Sequence, residues 1–116
     1  MRVESIGKLH YRSEDHDTGF TRQHHPMHVM DGIGQVWGSV RDPLPDARPT
    51  KMLNEIGPGE SSYNCYDRLI ADETCRWLAN VAVESTSRPW VLYVGFVAPH
   101  FPLVVPEEFY SLYPID

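Results

Sequence analysis

The sequence predicts an α/β fold in which a partial mixed or parallel sheet is flanked by helices. Two observations lead to this class. A helical periodicity runs from about Asp67 to Val83 and leads directly into an apolar segment, Trp90 to Phe96. This segment is apolar on both faces and lies between proline and glycine signals, as in a central parallel strand covered by helices. A helix followed by such a strand is half of a βαβ unit.

Length and composition limit the classes of function. With 116 residues, the chain is one domain at most. Its formal charge is -6, with ten lysines and arginines against sixteen acidic residues, and no stretch concentrates the basic ones. This distribution argues against a nucleic-acid surface that works by phosphate neutralisation. Ten prolines and eight glycines predict much irregular backbone.

Neither a membrane span nor an export signal is expected. The longest apolar run is too short to cross a bilayer, and the first ten residues lack the apolar core of a secretory signal. The compartment stays open, and the missing signal favours the cytoplasm. Cys65 and Cys75 lie ten residues apart without a CxxC pattern, so we expect free thiols rather than a zinc ribbon or a redox pair.

The first element is a short strand within Arg2 to His10. Val3 and Ile6 alternate with polar residues, and the strand is predicted to break at Gly7 and to deliver Lys8 and His10 into a loop.

From Tyr11 to Ser62 the hydrophobic residues show no regular spacing, and only a short helix around Val36 to Val40 is suggested. A stretch this long without clear elements usually indicates functional loops or missing partners.

The helix is the clearest element. Asn64 or Asp67 is available to cap its start, and Arg88 followed by Pro89 marks its exit. Apolar side chains recur at helical spacing, and Trp77 and Leu78 are assigned to the buried face. The residues at this spacing are Ile70, Thr74, Trp77, Leu78 and Val81.

The loop "APHFP" follows the last strand and carries His100. Ligands of open α/β sheets gather where strands end at their carboxyl edge. Pro99 and Pro102 restrict the backbone on both sides, so the imidazole is held in one direction. Such a loop suits a positioned catalytic histidine. The alternative is that His100 merely satisfies a backbone carbonyl at a strand exit, and both interpretations stay open.

The tetrapeptide "GKLH" carries a second candidate pair. Lys8 and His10 are two residues apart and point the same way if strand geometry persists. One cation beside one imidazole is a fitting receptor for a tetrahedral oxyanion, because lysine donates charge-assisted hydrogen bonds and histidine donates one or moves a proton. The alternative is a surface lysine with an unrelated neighbour.

Two further segments are weaker candidates for metal sites. In "HHPMH", His24 and His28 have the spacing of a zinc pair on a helix, yet Pro26 breaks that helix and no HExxH glutamate follows. The acidic "SEDHD" lacks the spacing of a calcium loop and is predicted to be a solvated loop or the rim of a substrate pocket. No metal ligand is assigned from the sequence.

Four segments, taken together, resemble the middle of the catalytic domain of the sulfatase family: "ESIGKLHYRS", "PMHVMDGIG", "GPGESSYNCYDRLIADETCRWL" and "VLYVGFVAPHFPLVVPEEFYSLYP". The likeness is to the bacterial branch of arylsulfatases and choline-sulfatase-like enzymes, and it covers essentially the whole chain. Its specificity comes from GKxH occurring with a later strand that ends in PHxP. Because this family belongs to the alkaline phosphatase superfamily, the resemblance implies that 1–116 is a partial sulfatase catalytic domain, a slice of an alkaline-phosphatase-like sandwich.

The resemblance also implies a chemistry, the hydrolysis of small-molecule sulfate monoesters. In this family a formylglycine, made from Cys or Ser in a CxPxR motif, attacks sulfur while a divalent cation, usually calcium, holds the sulfate oxygens. By motif matching, Lys8 would bind a sulfate oxygen. His10 would contact the formylglycine hydroxyl and help to break down the sulfated intermediate. His100 would donate to the ester oxygen as the alcohol departs.

The chain departs from the family pattern in its nucleophile and its metal site. Cys65 is followed by "YDRL" and Cys75 by "RWLA", so neither lies in a CxPxR motif, and no pair of adjacent aspartates occurs. The ligands of calcium and the formylglycine are therefore expected outside these 116 residues. We expect the isolated chain to be inactive and, with sheet edges left unpaired, to associate with itself.

Three hypotheses follow. The first is a fragment of a sulfatase. The second is a hydrolase of phosphonate or phosphate monoesters from the same superfamily, since the same pocket accepts either tetrahedral anion. The third is a truncated, non-catalytic product that acts at most as an interaction module.

Overall fold

In the computed structural model of this chain, residues 1–11, 16–27, 55–84 and 88–113 are described. The chain forms two compact units. The first unit comprises Met1–Gln35 and Asp67–Phe96, and the second comprises Val36–Tyr66 and Val97–Asp116. The helix predicted around Val36 to Val40 lies outside the described residues.

The described elements are five strands and two helices. In chain order they are β1 (Arg2–Lys8), β2 (Arg22–Met27), β3 (Ile56–Pro58), α1 (Ser62–Val83), β4 (Trp90–Gly95), β5 (Leu103–Val105) and α2 (Glu107–Tyr110). Neither helix is long and apolar enough to cross a membrane. Both cysteines are free and exposed on α1, as predicted.

The sheet of the first unit has the order β2-β1-β4, and both strand pairs are parallel. Glu4 of β1 stands opposite Arg22 on one side and Leu92 on the other. Together with α1, this sheet confirms the α/β class with parallel strands. Because all three strands run the same way, their carboxyl ends lie at one edge of the sheet.

Among the described strands, β4 has a different position from the one that its apolar sequence indicates. The apolar run indicated a central strand, whereas among the described strands β4 lies at the edge, with β1 as its neighbour. Trp90 and Val91 are 42% and 46% exposed, so both faces of the strand carry exposed apolar side chains. An apolar sequence therefore identified the strand correctly without revealing what covers it.

β1 continues through Gly7, where the sequence predicted a break. Gly7 adopts a left-handed backbone with a φ of 96°, which side-chain-bearing residues rarely adopt. Its register with β2 shifts at this point, because Ile6 pairs with His24 but Lys8 pairs with Met27. β2 has one more residue than β1 between these two pairs, so β1 continues past Gly7 opposite a β-bulge in β2.

α1 begins more than a turn before the predicted start at Asp67. The Ser61 hydroxyl oxygen accepts a hydrogen bond from the Asn64 backbone N–H at 3.2 Å, which caps the first turn. Ile70 and Trp77 are buried, but Leu78, which was assigned to the same face, is 44% exposed. Adjacent residues of a helix differ by about 100° in direction, so a narrow buried stripe holds one of the two.

A buried carboxylate joins three elements of the first unit. Glu4 of β1 is 4% exposed. Its Oε1 accepts a hydrogen bond from Arg2 Nε, and its Oε2 accepts one from Trp77 Nε1 of α1 and one from His24 Nε2 of β2, each at 2.8 Å. The Trp77 ring also packs edge-on against Trp90 of β4 at 5.0 Å between ring centroids. We call Arg2, Glu4, His24 and Trp77 the Glu4 cluster.

The environment of Glu4 decides its charge. Burial alone would raise the pKa of this carboxyl group, but the hydrogen bonds from Arg2, His24 and Trp77 outweigh burial and lower the pKa from 4.5 to about 2. The hydrogen bond to Glu4 in turn raises the pKa of Arg2, whose guanidinium also contacts Glu84 at 3.1 Å. Glu4 is therefore ionised in the folded chain at neutral pH.

The second unit contains a smaller parallel pair, β3 with β5. Gly59 extends the pairing by donating its N–H to the carbonyl of Val105 at 2.9 Å. α2 follows directly, and Phe109 and Tyr110 both donate their backbone N–H groups to the carbonyl of Pro106. The unit is small, and apolar side chains such as Phe109 remain exposed.

The Glu4 cluster predicts a specific loss of stability in acid. Since the pKa of Glu4 is lower in the folded chain than in the unfolded one, its contribution is complete above pH 4.5 and is lost as the pH falls towards 2. Between pH 7 and pH 3 we expect this group alone to reduce the free energy of unfolding by about 2 kcal/mol. Urea unfolding of the wild type and of Glu4→Gln at both pH values measures this contribution as the difference between them.

Glu84→Gln is the matched control, because it removes the other acidic partner of Arg2 and leaves Glu4 in place. Glu4→Gln should be less stable at pH 7 by about 2 kcal/mol and should lose part of the pH dependence. Equal pH slopes in the wild type and Glu4→Gln would show that Glu4 does not titrate as described.

The exposed strand β4 predicts self-association. Its outer edge carries no charged or proline residue, which are the usual protection of an edge strand. We expect Val91→Lys to shift the chain towards the monomer in sedimentation velocity, because a charge on the edge opposes strand pairing. Val83→Lys is the control, since Val83 is 82% exposed at the end of α1. A wild-type chain that is monomeric at all concentrations would refute this prediction.

Candidate functional site

The candidate residues Lys8 and His10 lie at the carboxyl edge of the three-stranded sheet. Lys8 is the last residue of β1 and pairs with Met27 near the end of β2. On the other side, Gly7 pairs with Gly95, the last residue of β4. The carboxyl edge of parallel strands is where open α/β sheets bind their ligands.

Burial alternates along the end of β1. Gly7 and Leu9 are buried, whereas Lys8 is half-buried and His10 is exposed. Strand pairing continues past the last residue of β1, because Leu9 donates its N–H to the carbonyl of Met27 at 3.0 Å. This alternation is what a shared direction of Lys8 and His10 requires.

Lys8 and His10 have no side-chain hydrogen bond or ion pair to any part of the chain that the structure describes. An ammonium group and an imidazole are both able to donate hydrogen bonds to an anion. The pair is thus chemically suited to a tetrahedral oxyanion at the sheet edge.

His100 belongs to the second unit, where it is held by short-range contacts. Its backbone N–H donates to the carbonyl of Val97 at 2.9 Å, and its Nδ1–H donates to the carbonyl of Phe101 at 2.9 Å. The ring packs edge-on against Tyr63 at 6.1 Å between centroids. Pro99 and Pro102, predicted to stiffen this loop, both follow cis peptide bonds.

The hydrogen bond to Phe101 determines which ring nitrogen is available for chemistry. A carbonyl oxygen only accepts, so the neutral imidazole of His100 carries its proton on Nδ1 and leaves Nε2 as the acceptor. The sequence left open whether His100 satisfies a carbonyl or performs chemistry. Nδ1 satisfies the Phe101 carbonyl, and because the ring is exposed, Nε2 is accessible to a ligand.

The three predicted site residues are thus distributed over both units. Lys8 and His10 stand together at one sheet edge of the first unit, and His100 stands in the second. β1, which ends within GKLH, and β4, which precedes APHFP, are paired neighbours.

The Glu4 cluster was not predicted from the sequence. An acidic residue between Val3 and Ile6, inside a predicted strand, was the available signal, since a buried carboxylate requires donors. His24 was considered only as a metal ligand, whereas in the structure it donates to Glu4.

The described residues do not fit the cofactors that the resemblance implies. Calcium takes oxygen ligands, and the described part of the chain contains no group of three or more His, Cys, Asp or Glu side chains placed to hold a metal ion. Cys65 and Cys75 are exposed on α1 and lack the CxPxR context of a formylglycine.

Comparison of the chain with protein-family models, with curated proteins and with solved structures gives no match. What these residues do must therefore be inferred from their chemistry and their positions.

His100 gives a direct spectroscopic prediction. In the neutral state its ring should carry the proton on Nδ1, because the Phe101 carbonyl accepts from that atom. Long-range ¹H–¹⁵N correlation spectra at a pH above the titration of histidine distinguish the two tautomers. His16, which is exposed in the first unit, is the control and should show averaged tautomers. A protonated Nε2 in neutral His100 would contradict the contact.

Proposed function

We propose that the chain is a central part of the catalytic domain of a sulfuric ester hydrolase, and that Lys8, His10 and His100 contact the sulfate ester. The observation that supports this proposal most is topological. The motif GKLH spans the end of β1 and the motif APHFP follows β4, and these two strands pair in parallel with Gly7 opposite Gly95. Two motifs distant in sequence thus leave neighbouring strands at the same edge, where ligands of such sheets bind.

Lys8 supplies the positive charge that the reaction needs. A sulfate monoester is an anion, and the chain as a whole carries a formal charge of -6, so a local cation is required to attract it. The Lys8 ammonium would donate charge-assisted hydrogen bonds to a non-bridging oxygen of the ester. Such donors stabilise the transition state when they face the oxygens that gain charge.

His10 would hold the second side of the same group. Its imidazole is exposed, and the buried Leu9 separates it from Lys8. At this position it would donate a hydrogen bond to the attacking or departing oxygen at sulfur and give or take a proton there.

His100 would serve as the proton donor to the leaving group. In its protonated form the Nδ1–H remains bonded to the Phe101 carbonyl, so Nε2–H is the proton that can be transferred. When the S–O bond to the alcohol breaks, the electron pair stays on the alcohol oxygen and that oxygen takes this proton. The nucleophile and the divalent cation of such an enzyme would come from outside the described residues.

The same three side chains would accept a phosphonate or phosphate monoester, because their hydrogen bonds go to oxygens and not to the central atom. Relative turnover therefore decides between these substrates. A non-catalytic interaction module is the outcome if the protein turns over none of them.

The test uses the protein encoded by the complete reading frame that contains this chain, assayed with aryl sulfate, aryl phosphonate and aryl phosphate. Lys8→Ala and His10→Ala should lower kcat/KM for aryl sulfate by about 10²- to 10⁴-fold. His16→Ala and Arg76→Ala are matched controls, because both residues are exposed and neither belongs to GKLH or APHFP. They should leave kcat/KM unchanged.

His100→Ala should show a further signature. A proton donor matters most for a poor leaving group. The loss of kcat/KM should therefore be larger for an alkyl sulfate than for a nitrophenyl sulfate. Equal losses for both esters would exclude His100 as the donor. Absence of turnover with all three substrate classes would refute the proposed function.

A further inference from the structure

We propose that Gly7 and Gly95 are positioning residues, an inference that rests on the proposed function. Their backbone contact fixes the direction in which Lys8 and His10 leave the sheet. The two glycines stand opposite each other at the ends of β1 and β4.

Neither position has room for a side chain. A Cβ atom on Gly7 would collide with the carbonyl oxygen of Gly95 and would lie 3.1 Å from Cγ2 of Ile70. A Cβ atom on Gly95 would collide with the carbonyl oxygen of Lys8. The backbone carbonyl of Lys8, the proposed oxyanion-binding residue, is therefore itself part of this contact.

Gly7 also needs its left-handed backbone. Its φ of 96° coincides with the shift in strand register after Ile6. From this point the residues alternate anew, with Leu9 buried and with Lys8 and His10 on the accessible side. An alanine at position 7 would have to change φ and move away from Gly95. Both movements would rotate the Lys8 peptide.

The chain offers a matched control for the backbone effect alone. Gly19 has a φ of 77°, and an added Cβ there would meet no atom within 4 Å. Gly19→Ala therefore carries the cost of a left-handed alanine without touching the sheet edge. Gly95→Ala tests the contact from the other strand without any requirement for a left-handed backbone.

The first measurement is geometric and needs no substrate. Residual dipolar couplings of the amides of Lys8, Leu9 and His10 report the direction of this segment, and thermal unfolding reports stability. Both are recorded in the Val91→Lys background to keep the chain monomeric. We expect Gly7→Ala and Gly95→Ala to remain folded and to change these couplings, and Gly19→Ala to leave them as in the wild type.

The second measurement uses the protein from the complete reading frame. Gly7→Ala and Gly95→Ala should lower kcat/KM for aryl sulfate by about 10²-fold, as for a misplacement of about 1 Å, with kcat falling more than KM rises. The double variant should lose less than the product of the two single losses, because both methyl groups disturb one contact.

Unchanged couplings in a folded Gly7→Ala chain would overturn the inference. Couplings that change as much in Gly19→Ala as in the other two variants would also overturn it. So would unfolding of both Gly7→Ala and Gly95→Ala while Gly19→Ala folds, since the contact would then serve the fold alone. Altered couplings in a protein that turns over no sulfate ester would support the positioning role and refute the proposed function.

Discussion

The first unit depends on the ionised carboxylate of Glu4. A buried charge is costly unless donors surround it, and here the donors come from three elements: Arg2 of β1, His24 of β2 and Trp77 of α1. Each donor reaches the carboxylate only if its element is placed correctly. The cluster therefore selects one register of β2 against β1 and one rotation of α1 over the sheet.

This constraint carries through β1 to the candidate site. Glu4 lies on the amino-terminal side of Ile6, and the glycine contact lies on the carboxyl-terminal side of it. The register of β1 with β4 places Gly7 opposite Gly95, and the chain leaves the edge at Lys8. The stability of the fold thus depends on Glu4, and the placement of the site depends on Gly7 of the same strand. A substitution at Glu4 should weaken the fold, while one at Gly7 should chiefly redirect the site.

The sequence predicted those features that depend on local pattern. The apolar run of β4, the periodicity of α1 and the end of β1 near Lys8 were all visible, because alternation and helical spacing are properties of neighbouring residues. The edge position of β4 and the exposure of Leu78 were not visible, because they depend on which elements pack together. The Glu4 cluster escaped for the same reason, since its donors are distant in sequence.

Two features of the described structure lack the neighbours that such groups usually have: the apolar side chains of β4, and the pair Lys8 and His10. The edge strand β4 exposes apolar side chains that a neighbouring strand or helix would ordinarily cover. At the carboxyl edge of the sheet, Lys8 and His10 present a cation and an imidazole without an acidic partner among the described residues. Chance accounts for either feature alone, whereas one hypothesis accounts for both. If this chain is part of a larger hydrolase sheet, as proposed, an element of that sheet would cover β4, and the bound sulfate ester would pair with Lys8 and His10.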